Sequence, residues 1–239
     1  MAALWEGLFP AGCALCGNLL SFTDAFYGIC GPCRKTLVPG GTFDEYGRCS
    51  VCGQPLISET GTCLSCRNGP VRSFDRVVSL FPYAGKYQKI LKAYKFGARL
   101  TLGNFFADLV RQGFDMLCNS ADIPVSAVWV PVPPRPRKIK KTGWDQIDHL
   151  ALLLEKYGRD IPVNRCLKRR PSESQKKLDR EQRRVNLRGR IVPVAGKPVP
   201  KTALVFDDVY TTGSTMDACA GALKSGGAEK VYGICLCYD

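Results

Sequence analysis

The sequence predicts an α/β protein: a parallel sheet with helices on both faces, preceded by a small cysteine-rich module. Three observations predict it. Eight of the thirteen cysteines lie before residue 70 and form four Cys-x-x-Cys pairs. After residue 70, short apolar runs alternate with stretches of helical periodicity, the pattern of strands joined by crossover helices. One of those runs, beginning at Leu204, ends in two acids and a turn of hydroxyls and glycine that closes at Thr215.

The 239 residues have room for a small module and one ordinary α/β domain. The hydrophobic share of 45% is that of a globular chain. The net charge of +13 points to an anionic partner: nucleic acid, nucleotide phosphate or an acidic surface. That charge is divided. Residues 1–70 carry a net −1, so the remainder carries +14. The division in charge coincides with the division in cysteine usage and predicts a head of residues 1–70 and a basic domain of residues 71–239, each with its own core.

The start of the chain lacks the basic residues and apolar core of a signal peptide. No segment approaches the ~18 apolar residues of a membrane span. A cytoplasmic protein without membrane insertion is expected, and in a reducing compartment Cys-x-x-Cys pairs suggest metal rather than disulfide. The pairs are Cys13/Cys16, Cys30/Cys33, Cys49/Cys52 and Cys63/Cys66. Two thiolates two residues apart grip one metal from a tight turn, and two such turns complete a tetrahedron. Gly17 and Gly53 directly follow a pair, and Gly31 lies inside one. So few large apolar side chains would barely fold unaided, and metal binding supplies the missing free energy. Zinc in all-sulfur, structural sites is the expectation. Iron–sulfur ligation or redox thiols are the alternative, opposed by the lack of a βαβ pattern around any pair. Sequential pairing gives Cys13/Cys16/Cys30/Cys33 and Cys49/Cys52/Cys63/Cys66; interleaved pairing stays open. Cys118, Cys166, Cys219, Cys235 and Cys237 read mostly as small buried hydrophobes.

In the basic domain, Phe74 to Phe81 reads as a strand, and residues 86–96 and 100–118 as helices. Val125 to Val130 reads as a buried parallel strand ended by Pro131, Pro133 and Pro134. A helix is predicted from Trp144 to Tyr157, a strand from Ala203 to Phe206, a helix from Thr215 to Ser225 and a last strand from Lys230 to Cys237.

The segment from Leu204 to Thr215 carries the chemistry. In open α/β sheets, ligands bind beyond the carboxyl ends of strands. The turn Thr211, Thr212, Gly213, Ser214, Thr215 supplies hydroxyls, and Gly213 permits close backbone approach. The helix that follows aims free N–H groups and a positive dipole end at the turn. A phosphate suits that cradle. Asp207 and Asp208 can accept hydrogen bonds from a sugar's paired hydroxyls or hold water on a bound Mg²⁺. Valine at Gly213 is expected to block the phosphate while leaving the fold intact. The GxxxxGK[ST] motif of P-loop ATPases is absent, which excludes that class.

The run from Asp207 to Thr215 resembles the phosphoribosyl pyrophosphate (PRPP) motif of type I phosphoribosyltransferases. Nearly the whole chain resembles the ComF family, competence-associated proteins of phosphoribosyltransferase type. The resemblance includes the cysteine-rich head, the run from Tyr83 through Gly85 to Lys95, and Val130 to Pro133. It extends to Gly143-Trp144-Asp145-Gln146 and the spaced set Gln175, Leu178, Arg183, Asn186 and Gly189. It implies a double zinc ribbon, a type I phosphoribosyltransferase-like sheet, Mg²⁺ with PRPP, and a link to DNA uptake. Where the family usually has Arg and Asn, this chain has Thr142 and Asp145, with Lys138, Lys140 and Lys141 nearby to compensate.

Two basic runs carry most of the excess charge: Arg135, Arg137, Lys138, Lys140 and Lys141, and residues 165–190 with a net +8. Anion-binding candidates are Arg135, Arg137, Lys138, Lys176, Lys177, Arg180, Arg183 and Arg184. His149, the sole histidine, reads as an ordinary helix residue. Two functions follow as expectations. One is an enzyme moving phosphoribose to or from PRPP, with Asp207 and Asp208 on the ribose and residues 211–215 on its 5′-phosphate. The other is a non-catalytic protein that handles single-stranded DNA with the cradle and the basic surface. In that second reading the zinc head docks DNA-uptake partners.

Overall fold

The strands that build the sheet are apolar on both sides, as strands covered on both faces must be. In the structure, a computed structural model, residues 12–38, 47–120, 123–124, 126–157, 162–171 and 189–239 are described. The main sheet holds β1 (Arg76–Pro82), β2 (Val128–Pro131), β5 (Thr202–Tyr210) and β6 (Lys230–Tyr238). They run parallel in the order β1-β6-β5-β2, with Ile234 paired between Val78 and Phe206. Parallel neighbours require crossovers, and helices supply them. All four carboxyl ends therefore lie along one edge of the sheet.

Side chains alternate across this sheet with period two. Leu204 and Phe206 of β5 face one core, together with Ile234, Val78, Leu80 and Trp129. Against that face lie α4 (Gly85–Lys95), α5 (Leu102–Ser120) and α7 (Gln146–Tyr157). Helix α5 buries Leu102, Phe105, Phe106, Leu109, Val110, Phe114 and Leu117, the stripe of an amphipathic helix. Each such side chain contributes about 1.5–3 kcal/mol on burial. Ala203 and Val205 face the opposite core with Val77, Val130, Val231 and Cys235. There α8 (Ser214–Ser225) packs through Ala218, Cys219, Ala222 and Leu223, beside an antiparallel hairpin of β3 (Leu167–Arg169) and β4 (Ile191–Pro193).

Among its described residues the cysteine-rich part holds three short helices, α1 (Phe22–Ala25), α2 (Gly31–Leu37) and α3 (Leu64–Arg67). Among the described residues its apolar side chains do not form a core of their own. Cys13, Ile29 and Leu37 join the first core, and Cys49, Cys52, Leu56 and Cys63 join the second. This corrects the expectation of separate cores: so short a segment has too little apolar surface to close on itself.

Two further differences concern length. Strand β5 continues to Tyr210, so Asp207 and Asp208 lie within it rather than after it. A helix not foreseen, α6 (Pro136–Thr142), follows β2; Pro136 sits in its first turn and Gly143, at φ +76°, ends it. Among the described residues no helix is long and apolar enough to cross a membrane.

Candidate metal centres and phosphate cradle

Each zinc-type centre is built from one knuckle and one helix start. In the first, the Gly12–Leu19 bridge closes a hairpin, and the Gly17 N–H donates to the Cys13 carbonyl at 2.9 Å. Cys30 then caps α2, which contains Cys33. The second repeats the design: an Arg48–Pro55 bridge, the Gly53 N–H on the Cys49 carbonyl at 2.9 Å, and Cys63 capping α3, which contains Cys66. Both knuckle glycines have positive φ, +82° and +69°, a region that suits glycine.

The sulfurs of Cys13, Cys16, Cys30 and Cys33 lie within 4.8 Å of one another, as do those of Cys49, Cys52, Cys63 and Cys66. Pairing is therefore sequential. Sγ of Cys16 is 3.8 Å from that of Cys30, and Sγ of Cys52 is 3.7 Å from that of Cys63. A zinc tetrahedron with ~2.3 Å metal–sulfur bonds has edges of about 3.8 Å, so the clusters fit zinc. One thiol in each is poised to ionise. Burial opposes this at Cys13, but N–H groups of Cys16, Cys30 and Leu15 outweigh it and lower the thiol to about 6. At Cys49 burial is likewise outweighed, by N–H groups of Cys52, Cys63 and Val51, giving about 7. Four sulfurs close each site, so the zinc is structural.

The cradle lies where β5 meets α8. Gly213, at φ +72°, caps α8, and the Thr212 hydroxyl lies 2.7 Å from that of Ser214. The first-turn N–H groups of α8 have no partner further up the helix and face the turn. A cavity of about 290 Å³ opens there, lined by Thr211 to Thr215, Asp207 and Arg135. A Cβ on Gly213 would lie 2.4 Å from the Tyr210 hydroxyl, not in open space. Tyr210 is buried, so valine would displace it and strain the turn. Gly213 is required by the loop itself, which corrects the expectation that Gly213→Val merely obstructs an intact cradle.

The two acids differ. Asp207, half-buried, lines the cavity. Burial first, and then the charge of Asp208, push its carboxyl up to about 7; the Asp208 N–H at 2.8 Å, Lys95 and Arg169 act the other way. Asp208 is buried and turns to the other side of the strand. There it pairs with Lys95 at 2.9 Å and accepts from Gln146 Nε2. Lys138 donates to Gln146 and, at 2.8 Å, to Asp145. Asp145 also accepts the N–H groups of Ile147 and Asp148 at 2.9 and 3.3 Å, capping α7. Asp145 thus does an amide's capping work and adds a charge that holds Lys138. Thr142 Oγ1 donates to the Lys138 carbonyl.

Of the basic candidates, Arg135 reaches the cavity and Lys138 joins this network. The side chain of Arg137, and Lys176, Lys177, Arg180, Arg183 and Arg184, lie outside the described residues. Lys95, Gln146 and Arg169 join the site with no local motif of their own, although Lys95 and Gln146 stand in runs that carry the family resemblance. Arg169, on β3, stands close enough to Arg135, Asp207 and Asp145 to feel their charges, and burial lowers its basicity. His149 Nδ1 lies 2.8 Å from the Tyr94 hydroxyl, and burial lowers the basicity of the ring. Trp144 packs edge-on to Tyr94 at 5.3 Å, a core role.

Residues 4–67 match the double zinc ribbon domain family. Over 95% of its length the chain is similar to the DNA utilization protein YhgH of Salmonella typhi, at 28% identity and covering 97% of that protein. The YhgH protein of Escherichia coli K12 aligns over the same shares at 26% identity. Competence protein F of Haemophilus influenzae is 26% identical over 85% of this chain and 87% of its own.

Proposed function

We propose that this chain is a cytoplasmic protein of DNA uptake or utilization that binds PRPP or a related phosphorylated ribose in the cradle at 211–215. The observation that carries the reading is the cavity at the carboxyl end of β5. Its lining includes a turn of hydroxyls on a helix start, together with Asp207 and Arg135. The turn suits a 5′-phosphate. Asp207 suits sugar hydroxyls or the water shell of Mg²⁺, and Arg135 suits a second phosphate group. The names of the aligned relatives, competence and DNA utilization, support the setting. Residue 70 serves as the junction between head and basic domain.

How the residues would act follows from their placement. Lys95 and Gln146 hold Asp208, so the carboxylate that remains for a ligand is that of Asp207. If phosphoribose is transferred, positive charge develops on the ribose, and Asp207 lies on the wall where it would be stabilised. Mg²⁺ would contribute charge neutralisation of the pyrophosphate, and Asp207 is the acid lining the cavity that would hold it. A second reading, binding of single-stranded DNA, is favoured by the +14 carried outside the head. Strand binding would use the basic surface and depend steeply on salt.

Calorimetry with PRPP and Mg²⁺, alongside a single-stranded oligonucleotide, tests both. PRPP is expected to bind the wild type and to bind Asp207→Asn at least ~10-fold more weakly. Salt-sensitive oligonucleotide binding without any PRPP binding would transfer the function to DNA alone.

A further inference from the structure

Beyond the second zinc centre the chain does not wander. Asn68 N–H donates to the Leu64 carbonyl at 3.0 Å, and a Cβ on Gly69 would lie 2.5 Å from the Ser65 carbonyl oxygen. Gly69 is thus pressed against α3, the helix that carries Cys66, and opens a strap that runs on to Phe74. The strap then passes behind the 211–213 turn, on the side away from the cradle. Arg72 Nη2 donates to the carbonyl of Thr212 at 3.1 Å. Ser73 N–H donates to Asp217 Oδ1 at 2.6 Å, and Asp217 N–H to the Gly213 carbonyl at 2.8 Å. Both the turn and the first turn of α8 are therefore tied to this strap.

The Arg72 contact has a directional consequence. Across a trans peptide the carbonyl and the next N–H point opposite ways. Holding the Thr212 carbonyl toward Arg72 turns the Gly213 N–H away from it. The loop also separates two cavities. On the Arg72 side lies one of about 430 Å³ that reaches Cys52 and Cys66; on the other side lies the cradle. Glycine at 213 makes the 212–213 peptide free to flip, because either sign of φ suits it. Arg72 selects one of the two orientations. The Nε and Nη1 atoms of Arg72 are buried with no hydrogen-bond partner in the protein. So costly a placement is not that of a solvated surface arginine.

We propose that Arg72 is a positioning residue for the cradle and that, through it, zinc in the second centre sets how firmly the 212–213 peptide is held. Among the described residues the first centre has no such tie. Its contacts run to α4, the turn after it and α5: Lys89 Nζ on the Leu15 carbonyl, Arg99 Nη1 on the Gly12 carbonyl and Asn104 Nδ2 on the Phe26 carbonyl, each at 2.7 Å. The affinity part of the proposal rests on the ligand reading given above; the structural part does not.

Hydrogen exchange of residues 211–217, read by mass spectrometry, tests it in the full chain. Arg72→Ala is expected to speed exchange there about tenfold while α5 stays protected. Arg72→Lys, which keeps a donor, should restore most of the protection. Cys66→Ser, checked to have lost one of two zinc ions, should speed the same residues. Lys89→Ala, which loosens the first ribbon from α4, should leave them unchanged. PRPP affinity should fall about tenfold in Arg72→Ala, the worth of one charge-assisted hydrogen bond, and recover in Arg72→Lys. Unchanged exchange at 211–217 in Arg72→Ala overturns the proposal, as does an equal response to Lys89→Ala. Faster exchange with no PRPP binding to wild type leaves the coupling standing and removes the ligand reading instead.

Discussion

The two ribbons begin from the same sequence device and end in different mechanical positions. In each, a glycine follows the first Cys-x-x-Cys pair with positive φ. Around Gly17 there is nothing within 4 Å of where a Cβ would stand; around Gly53 a Cβ would meet the Val77 carbonyl oxygen at 2.4 Å and Val78 Cα at 2.6 Å. The first ribbon is held by side chains reaching to its carbonyls, such as Asn104 Nδ2 to Phe26 at 2.7 Å and the Tyr87 hydroxyl to Leu37 at 2.8 Å. The second is held by backbone: Val77 N–H donates to the Val51 carbonyl at 2.9 Å. Arg48 Nη1 bridges the carbonyls of Gly53 and Ser79 at 2.7 and 2.9 Å. Because β1 is an edge strand, the second ribbon covers an otherwise open row of backbone groups. A shared motif therefore fixes the metal geometry, while the neighbouring backbone decides whether the module is a cover for helices or a part of the sheet and its 211–215 turn.

That contrast can be broken in order of expected size. Gly53→Ala combines left-handed strain with a backbone collision and should lower unfolding free energy by about 3 kcal/mol. Gly17→Ala carries the strain alone and should lose about 1 kcal/mol. Equal losses in urea denaturation would remove the asymmetry. Arg48→Ala should cost about 2 kcal/mol, since it strips two carbonyls at the ribbon–sheet seam. Arg99→Ala, which strips one carbonyl of the first ribbon, should cost about 1 kcal/mol, read in the same denaturation series. The smallest effect separates the cradle from both ribbons by pH. A carboxyl raised to about 7 is protonated in the folded state well above its unfolded value. Under the proposed function its ionised form would meet Mg²⁺ or sugar hydroxyls, so binding of Mg²⁺–PRPP should strengthen about fivefold from pH 6 to 8 and release a proton. In Asp207→Asn that proton release should vanish from calorimetry run in two buffers of different ionisation enthalpy. For the same reason the Asp207 contribution to stability falls as pH rises from about 4 toward 7, and levels off above.

How much of this the sequence could tell depended on how local each signal is. The eight ligands were legible because two-residue spacing within a knuckle is a local constraint, and their fit to two tetrahedra needed only a choice between pairings. The sheet strands were legible because buried parallel strands are apolar throughout. The hairpin of β3 and β4 was not: each strand has three residues, too few to show a period, and Arg169 and Ile191 stand far apart in sequence. Helix α6 hid in a run read only as charge, although Pro136 and Gly143 mark its ends. The unequal roles of Asp207 and Asp208 were missed because the strand was ended at Phe206; extended to Tyr210, period-two alternation places them on opposite sides. Arg72 and Thr212 are 140 positions apart, and no pattern along the chain could join them.

The most direct measurement is a titration of Mg²⁺–PRPP into isotopically labelled protein, followed by amide resonances. The account predicts saturable shifts at Thr211 to Thr215, with smaller shifts at Arg72 and Cys66 carried through the strap, and none at Cys13 or Cys16. Shifts absent from 211–215, or spread evenly over both ribbons, would contradict it.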